Sequence, residues 1–362
     1  MKSSLTPPHG FMAVIRGMSV CLFAAVATFS TFSSFPLQLW AQSHVPALRL
    51  AKTIELAGIQ GKFDHFAIDL SGSRLFIAAT GNHSVEVIDL KTDKVQQSIT
   101  GLGKPHGLAW IAATGRLYVS DGALAELRVY QGDPLALAGT IKLSEDADDM
   151  VFDDAGSLLF VGHGGADAAN PASIAVVDTE HFVLLKNLPV ATHPEALEID
   201  PKSRRVFANI ADSNLVAVID SGSKTVTTQW KLTKAGGNVP IAFDEGHRLV
   251  YVACRTPGTL LALDARTGAE IASQTAAGKA DDLFYDSSLK RVYMISGVGE
   301  VDTFQVDERR ALSPLEVLPT VPGAKTALFV PSQNLLYLGV PATGEHPAEI
   351  RAYATSALGA KP

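Results

Sequence analysis

From residue 48 onward the chain alternates short apolar runs with polar breaks. The runs are rich in Val, Ile, Leu, Phe and Tyr and are bounded by Gly, Asp, Asn, Ser and Pro, which is how β-strands and their turns read. Apolar residues do not recur at helical spacing. The runs group into units, each marked by a stretch around one aromatic: RLFIA at 74–78, RLYVS at 116–120, LLFVG at 158–162, RVFAN at 205–209, LVYVA at 249–253, RVYMI at 291–295 and LLYLG at 335–339. A run precedes each of these stretches. A third run follows, often ending in an Asp (VEVID, IAVVD, VAVID, LALD), and then a fourth such as KVQQSI or TVTTQWK. That makes four strands per unit, each of ordinary length.

Aligning the units on the aromatic brings one position, just ahead of each first strand, into register: residues 64, 106, 148, 195, 239, 281 and 325. The steps between them are 42, 42, 47, 44, 42 and 44, and the long one holds a loop insertion, GGADAANP at 164–171. Four strands recurring at this period predict an all-β fold, a seven-bladed β-propeller with four-stranded antiparallel blades. The seventh unit shows three strands only. LRLAKTIEL at 48–56 precedes the first unit and has no unit of its own, so it is expected to complete the last blade and cover its open edge. The propeller is placed at 44–358, as one domain, with a tail at 359–362.

The N-terminus follows another pattern. Lys2 and Arg16 stand ahead of MSVCLFAAVATF, and small and polar residues follow as far as LWAQS. This order predicts a signal peptide over 1–43, cleaved after Ala41 or Ser43. An uncleaved anchor is the rival, but the run falls short of the roughly 20 apolar residues of a span. Val20 ahead of Cys21 disfavours lipid attachment. The protein is therefore expected to be exported, periplasmic or secreted, with no membrane span in the mature chain. Loss of Lys2 and Arg16 takes the formal charge from −7 to −9, a balance that disfavours nucleic acid as a partner. Only Cys254 then remains, so no disulfide within the chain can form, and its place behind LVYVA suggests a small buried hydrophobe.

KPHGLAWIAATGRLYVS, VEVIDLKTDKVQQSI and HPEALEIDPKSRRVFAN resemble the YncE-like, or YVTN-type, seven-bladed propellers over residues 48–355. The resemblance implies an exported propeller, from a family whose members mostly lack an assigned activity. Related propellers include lactone-opening enzymes and a metal-dependent lyase of cyclic peptide antibiotics.

In a propeller the aligned position lies at one mouth of the central channel. Asp64, His106, Asp148, Glu195, Val239, Asp281 and Lys325 should thus form one ring, joined by His65, Asp149 and Asp282 at the next position. Loops above would add Asp121, His163, Asp212, Arg255, Glu345 and His346. Two readings compete. In one, these side chains satisfy free backbone groups at the strand starts. In the other, Asp64, His106, Asp148, Glu195 and Asp281 hold a divalent cation, with Ca, Mg, Mn and Zn all compatible with oxygen and imidazole ligands. The doubled acids Asp148–Asp149 and Asp281–Asp282 exceed what capping needs, and like charges so close raise one pKa. His65, Asp149, His163, Arg255, Asp282 and Lys325 are the candidate ligand-binding residues. His106, Asp149 and Asp282 are the candidate acid–base groups for a metal- or histidine-assisted ring opening. No Gly-x-Ser-x-Gly nucleophile motif is present. Asp89, Asp178, Asp220 and Asp264 read instead as turn residues. The chain is expected to bind a small molecule or a protein, as a binding or scaffold propeller or as a metal-dependent hydrolase or lyase, and to be a monomer.

Overall fold

Residues 46–344 and 346–356 are described in the computed structural model; the expected leader at 1–43 and tail at 359–362 lie outside them. The strands form seven separate four-stranded antiparallel sheets. Blades 1 to 6 start at Phe66, Pro105, Met150, Pro194, Gly236 and Ala280, and each takes its four strands in chain order. Blade 7 takes Ala327–Val330, Leu335–Val340 and Ala348–Thr355, and its outermost strand is Leu48–Leu56, which pairs antiparallel with Ala348–Thr355. The innermost strands touch in sequence around the ring, and that of blade 7 touches that of blade 1.

The core explains why the runs are apolar without a break. Each sheet packs a neighbour on both faces, so alternate residues of one strand enter different layers. Leu75, Ile77 and Ala79 pack toward blade 7, whereas Phe76 and Ala78 pack toward blade 2. Seven such layers result, one for each pair of adjacent blades. Phe76, Tyr118, Phe160, Phe207, Tyr251, Tyr293 and Tyr337, the aromatics used for the alignment, are all at most 2% exposed. Burying one such ring contributes roughly 2–3 kcal/mol. The tyrosines also keep their hydroxyls bonded: that of Tyr118 donates to the Thr179 carbonyl at 2.9 Å and that of Tyr337 to Gln333 Oε1 at 2.8 Å.

In blades 1 to 6 the register shifts between the third and fourth strands, for example at Val87/Ile88 and Val218/Ile219, a bulge that increases twist at the rim. The four turn aspartates act as expected: Asp89, Asp178, Asp220 and Asp264 each accept backbone N–H groups two or three residues on. A second set of acids, Asp153 and Asp200, ends inner strands and clasps the next blade. Arg204 donates to Asp153 at 2.7 Å, and Arg248 pairs with Asp200.

Candidate site at the channel mouth

All seven aligned positions line one cavity of about 170 Å³, together with Lys62, His65, Arg255 and Thr326. Backbone geometry puts them there. The N–H of Asp64 donates to the Ala78 carbonyl at 2.8 Å and that of Asp148 to Gly162 at 2.9 Å, which adds one rung beyond the inner strand. The main chain is thereby satisfied and the side chains are left for the mouth.

Their partners are other side chains. His106 Nδ1 lies 2.7 Å from Asp64 Oδ2 and 3.5 Å from Asp148 Oδ1. Asp281 pairs with both Arg255 and Lys325. Glu195 has neither hydrogen bond nor ion pair among the described residues. The expected capping role falls instead to the second acid of each doublet. Asp149 accepts the N–H of Leu197 at 2.8 Å and Asp282 that of Ala327 at 2.7 Å, each from the next blade. One acid of each doublet faces the mouth and the other ties two blades together.

His65 is the hub. Its Nε2 is 3.6 Å from Asp64 Oδ1 and its Nδ1 is 3.6 Å from Asp282 Oδ1. Burial disfavours an imidazolium, but Asp149, Asp282, Asp64 and Asp148 outweigh it and raise His65 to about 10. Burial would raise Asp64 as well, yet the His106 hydrogen bond and the charges of His65 and Lys325 hold it well below the usual carboxylate range. Burial lifts Asp149 and Glu195 above their ordinary values and Asp282 to about 7. The repulsion expected among the ring acids is thus relieved by His65, Arg255 and Lys325 and by raised carboxyl pKa values.

Not every sequence-predicted residue reaches the mouth. His163 is a correction: it is 1% exposed, its Nδ1 accepts the Ser144 N–H at 3.2 Å, and its Nε2 is 3.1 Å from Asn187 Oδ1. One nitrogen serves the link from blade 2 to blade 3 and the other serves blade 3 itself, and burial lowers its pKa. Asp121 is buried and accepts the N–H groups of Gly103, Lys104 and Leu124, a loop-fixing role. Asp212 and His346 are exposed and do not line the cavity, and Glu345 lies outside the described residues. Asp149 and Asp282 line a second cavity below the mouth, which His65 shares.

The sequence reading missed His193 and Lys62. Each stands two residues ahead of an aligned position, and a step of two in extended chain returns to the same side. Lys104 and Asp146 hold the same place in their blades and pair at 2.9 Å. His193 Nδ1 lies 2.8 Å from the Gly164 carbonyl, in the inserted loop, and its Nε2 is 3.4 Å from Asp148 Oδ2. Burial opposes its charge, but Asp148 and the Gly164 hydrogen bond raise it to about 9. Two sets of three ligating groups have atoms within 4.8 Å of one another: Asp64, His65 and Asp148, and Asp148, His193 and Glu195.

No protein-family model matches the chain, and no curated protein matches it. Among solved structures the chain is similar to one in the crystal structure of a mitotic checkpoint complex, with a TM-score of 0.71, 12% identity, and coverage of 94% of this chain and 98% of that one. It is also similar to U3-55K, with a TM-score of 0.71, 15% identity and 85% and 99% coverage. A hydrazine synthase chain of Kuenenia stuttgartiensis gives 0.67, 17% identity and 79% and 96% coverage. Identities this low carry the fold alone, the seven-bladed propeller.

Proposed function

We propose that the protein is an exported, YncE-like binding propeller that takes a small polar ligand at its channel mouth. The observation that carries this reading is the convergence of seven sequence-distant positions on one cavity of about 170 Å³. Charge in the mouth is separated. Arg255 and Lys325 share the single carboxylate of Asp281 on one side, and Asp148 and Glu195 stand on the other. A zwitterion with a carboxylate and an ammonium group a few bonds apart suits that division. Amino acids and betaines would be titrated calorimetrically into the protein, and Glu195→Gln and Lys325→Met should each weaken binding at least about tenfold. Binding unchanged in both variants, or no binding by any zwitterion, would contradict this reading.

A specific observation favours a second reading, a metal-dependent hydrolase or lyase. Asp148, His193 and Glu195 close to within 4.8 Å, and the Gly164 carbonyl takes the Nδ1–H of His193, so a metal ion at Nε2 would take the place of the proton that now faces Asp148 at 3.4 Å. A Ca, Mg, Mn or Zn ion held by these residues would polarise a substrate carbonyl. His106, next to Asp64 and Asp148, is then the neighbouring group placed to move a proton. Metal analysis of the purified protein and of His193→Ala tests it. Stoichiometric metal lost in the variant is the expected result; protein free of metal, with unchanged melting after chelation, excludes it.

A further inference from the structure

On the arc from blade 5 round to blade 1 the mouth is lined by three cations, Arg255, Lys325 and Lys62. Arg255 and Lys325 both lean on the carboxylate of Asp281, and Arg255 Nε donates to the Ala280 carbonyl at 2.9 Å, which fixes its plane. Lys62 is exposed, and its ammonium has neither hydrogen bond nor ion pair among the described residues. Its backbone is nonetheless held. The Gly81 N–H donates to the Lys62 carbonyl at 2.9 Å, and Gly61 lies so close to Gly81 that a Cβ on it would meet the Gly81 Cα at 2.7 Å. Asp64, the next acid round the ring, is taken by His106 at 2.7 Å. Three cations therefore face one carboxylate, that of Asp281. Thr326, next to Lys325, adds another donor. It is 1% exposed, lines the same cavity, and its Oγ1 has no hydrogen-bond partner among the described residues. A buried hydroxyl left unpaired costs roughly 1–3 kcal/mol.

We propose that this arc is a subsite for a doubly charged tetrahedral oxyanion, a phosphonate or a phosphate monoester. The inference rests on the zwitterion reading and names the class of that ligand's anionic end. A carboxylate cancels one of the two surplus positive charges, whereas a phosphoryl dianion cancels both. The dianion also presents three terminal oxygens where a carboxylate presents two. A guanidinium, two ammonium groups and a hydroxyl, arriving from blades 5, 7 and 1, suit that larger set of acceptors.

β-Alanine, taurine and aminoethylphosphonate share one ammonium and one linker and differ in the anion: a planar monoanion, a tetrahedral monoanion and a tetrahedral dianion. They would be titrated calorimetrically into the wild type, Lys62→Met and Thr326→Val at about pH 8, where a phosphoryl group carries close to two charges. The phosphonate is expected to bind at least about tenfold more tightly than β-alanine, with taurine between them, and each variant to shrink that preference at least about threefold. Thr326→Val should keep or raise the urea midpoint, since valine removes an unpaired hydroxyl, so its weaker binding is not a loss of fold. β-Alanine bound as tightly as the phosphonate overturns the proposal and leaves the zwitterion reading standing. A preference that neither variant moves does the same. Taurine bound as tightly as the phosphonate overturns it as well, because the second charge then plays no part. Inorganic phosphate, which lacks the ammonium, is the fourth probe. If it alone binds and Lys62→Met weakens it, the subsite stands while the zwitterion reading falls. If the variant leaves it unmoved, or if none of the four binds at millimolar concentration, both fall.

Discussion

Asp282→Asn should change how stability depends on pH, and in a direction opposite to the usual loss of an acid. The Asp282 side chain is 9% exposed, its Oδ2 accepts the Ala327 N–H at 2.7 Å, and its Oδ1 lies 3.6 Å from His65. Burial lifts the carboxyl from an ordinary 3.8 to about 7, against the pull of His65. A group whose folded pKa is raised gives its full stability below the unfolded pKa and loses it as pH climbs through the folded one. The loss here falls between about pH 4 and pH 7. At about 1.4 kcal/mol per pKa unit, the shift sets a ceiling of about 4 kcal/mol. Relaxation and water in a channel wall should reduce that to roughly 2 kcal/mol. Asparagine is isosteric, stays neutral, and keeps a carbonyl oxygen for the Ala327 N–H. Urea unfolding of both proteins at about pH 4.5 and pH 8 should show the variant gaining roughly 2 kcal/mol on the wild type between them. A difference that does not move with pH, or a variant that loses ground at the higher pH, would refute the reasoning.

Other expectations follow from the same geometry. Ile54, 1% exposed in the strand that pairs with Ala348–Thr355, should cost about 2–5 kcal/mol when changed to alanine, read as a lower urea midpoint of one cooperative transition. Asp200 is fully buried beside Arg248; burial would raise its carboxyl, but Arg248 and Ser203 hold it at about 2. Its contribution is present above about pH 4 and fades as pH falls through 2, so Arg248→Ala should shift acid unfolding to higher pH, followed by circular dichroism. Burial pushes the Cys254 thiol up to about 12, so an aromatic disulfide reagent near pH 8 should label it only in denatured protein. Early labelling of the folded chain would contradict its place in the layer between blades 4 and 5.

The repeat was legible because each unit repeats one physical requirement. A sheet buried on both faces needs unbroken apolar strands, and the aromatic that fills each layer gives a register accurate to the residue. That register carried Asp64, His106, Asp148, Glu195, Val239, Asp281 and Lys325 into one cavity. One residue further on it held for His65 but failed for Asp149 and Asp282. In extended chain a single step turns the side chain round, so Asp149 and Asp282 point to the next blade and the lower cavity, not the mouth. A step of two would have found His193 and Lys62, had the same alignment been read backward. His163 was misplaced for a different reason. Its strand runs on to Ala166 in the one blade with an insertion, and only the folded register shows its ring taken up by Ser144 and Asn187.

A crystal structure of the full-length protein near neutral pH tests the central claim most directly. It should show seven radial sheets, with the carboxylates of Asp64, Asp148, Glu195 and Asp281 and the ring of His106 around one space, and His65 between that space and the cavity beneath. Six or eight sheets, or these side chains spread over the outer surface, would contradict the account.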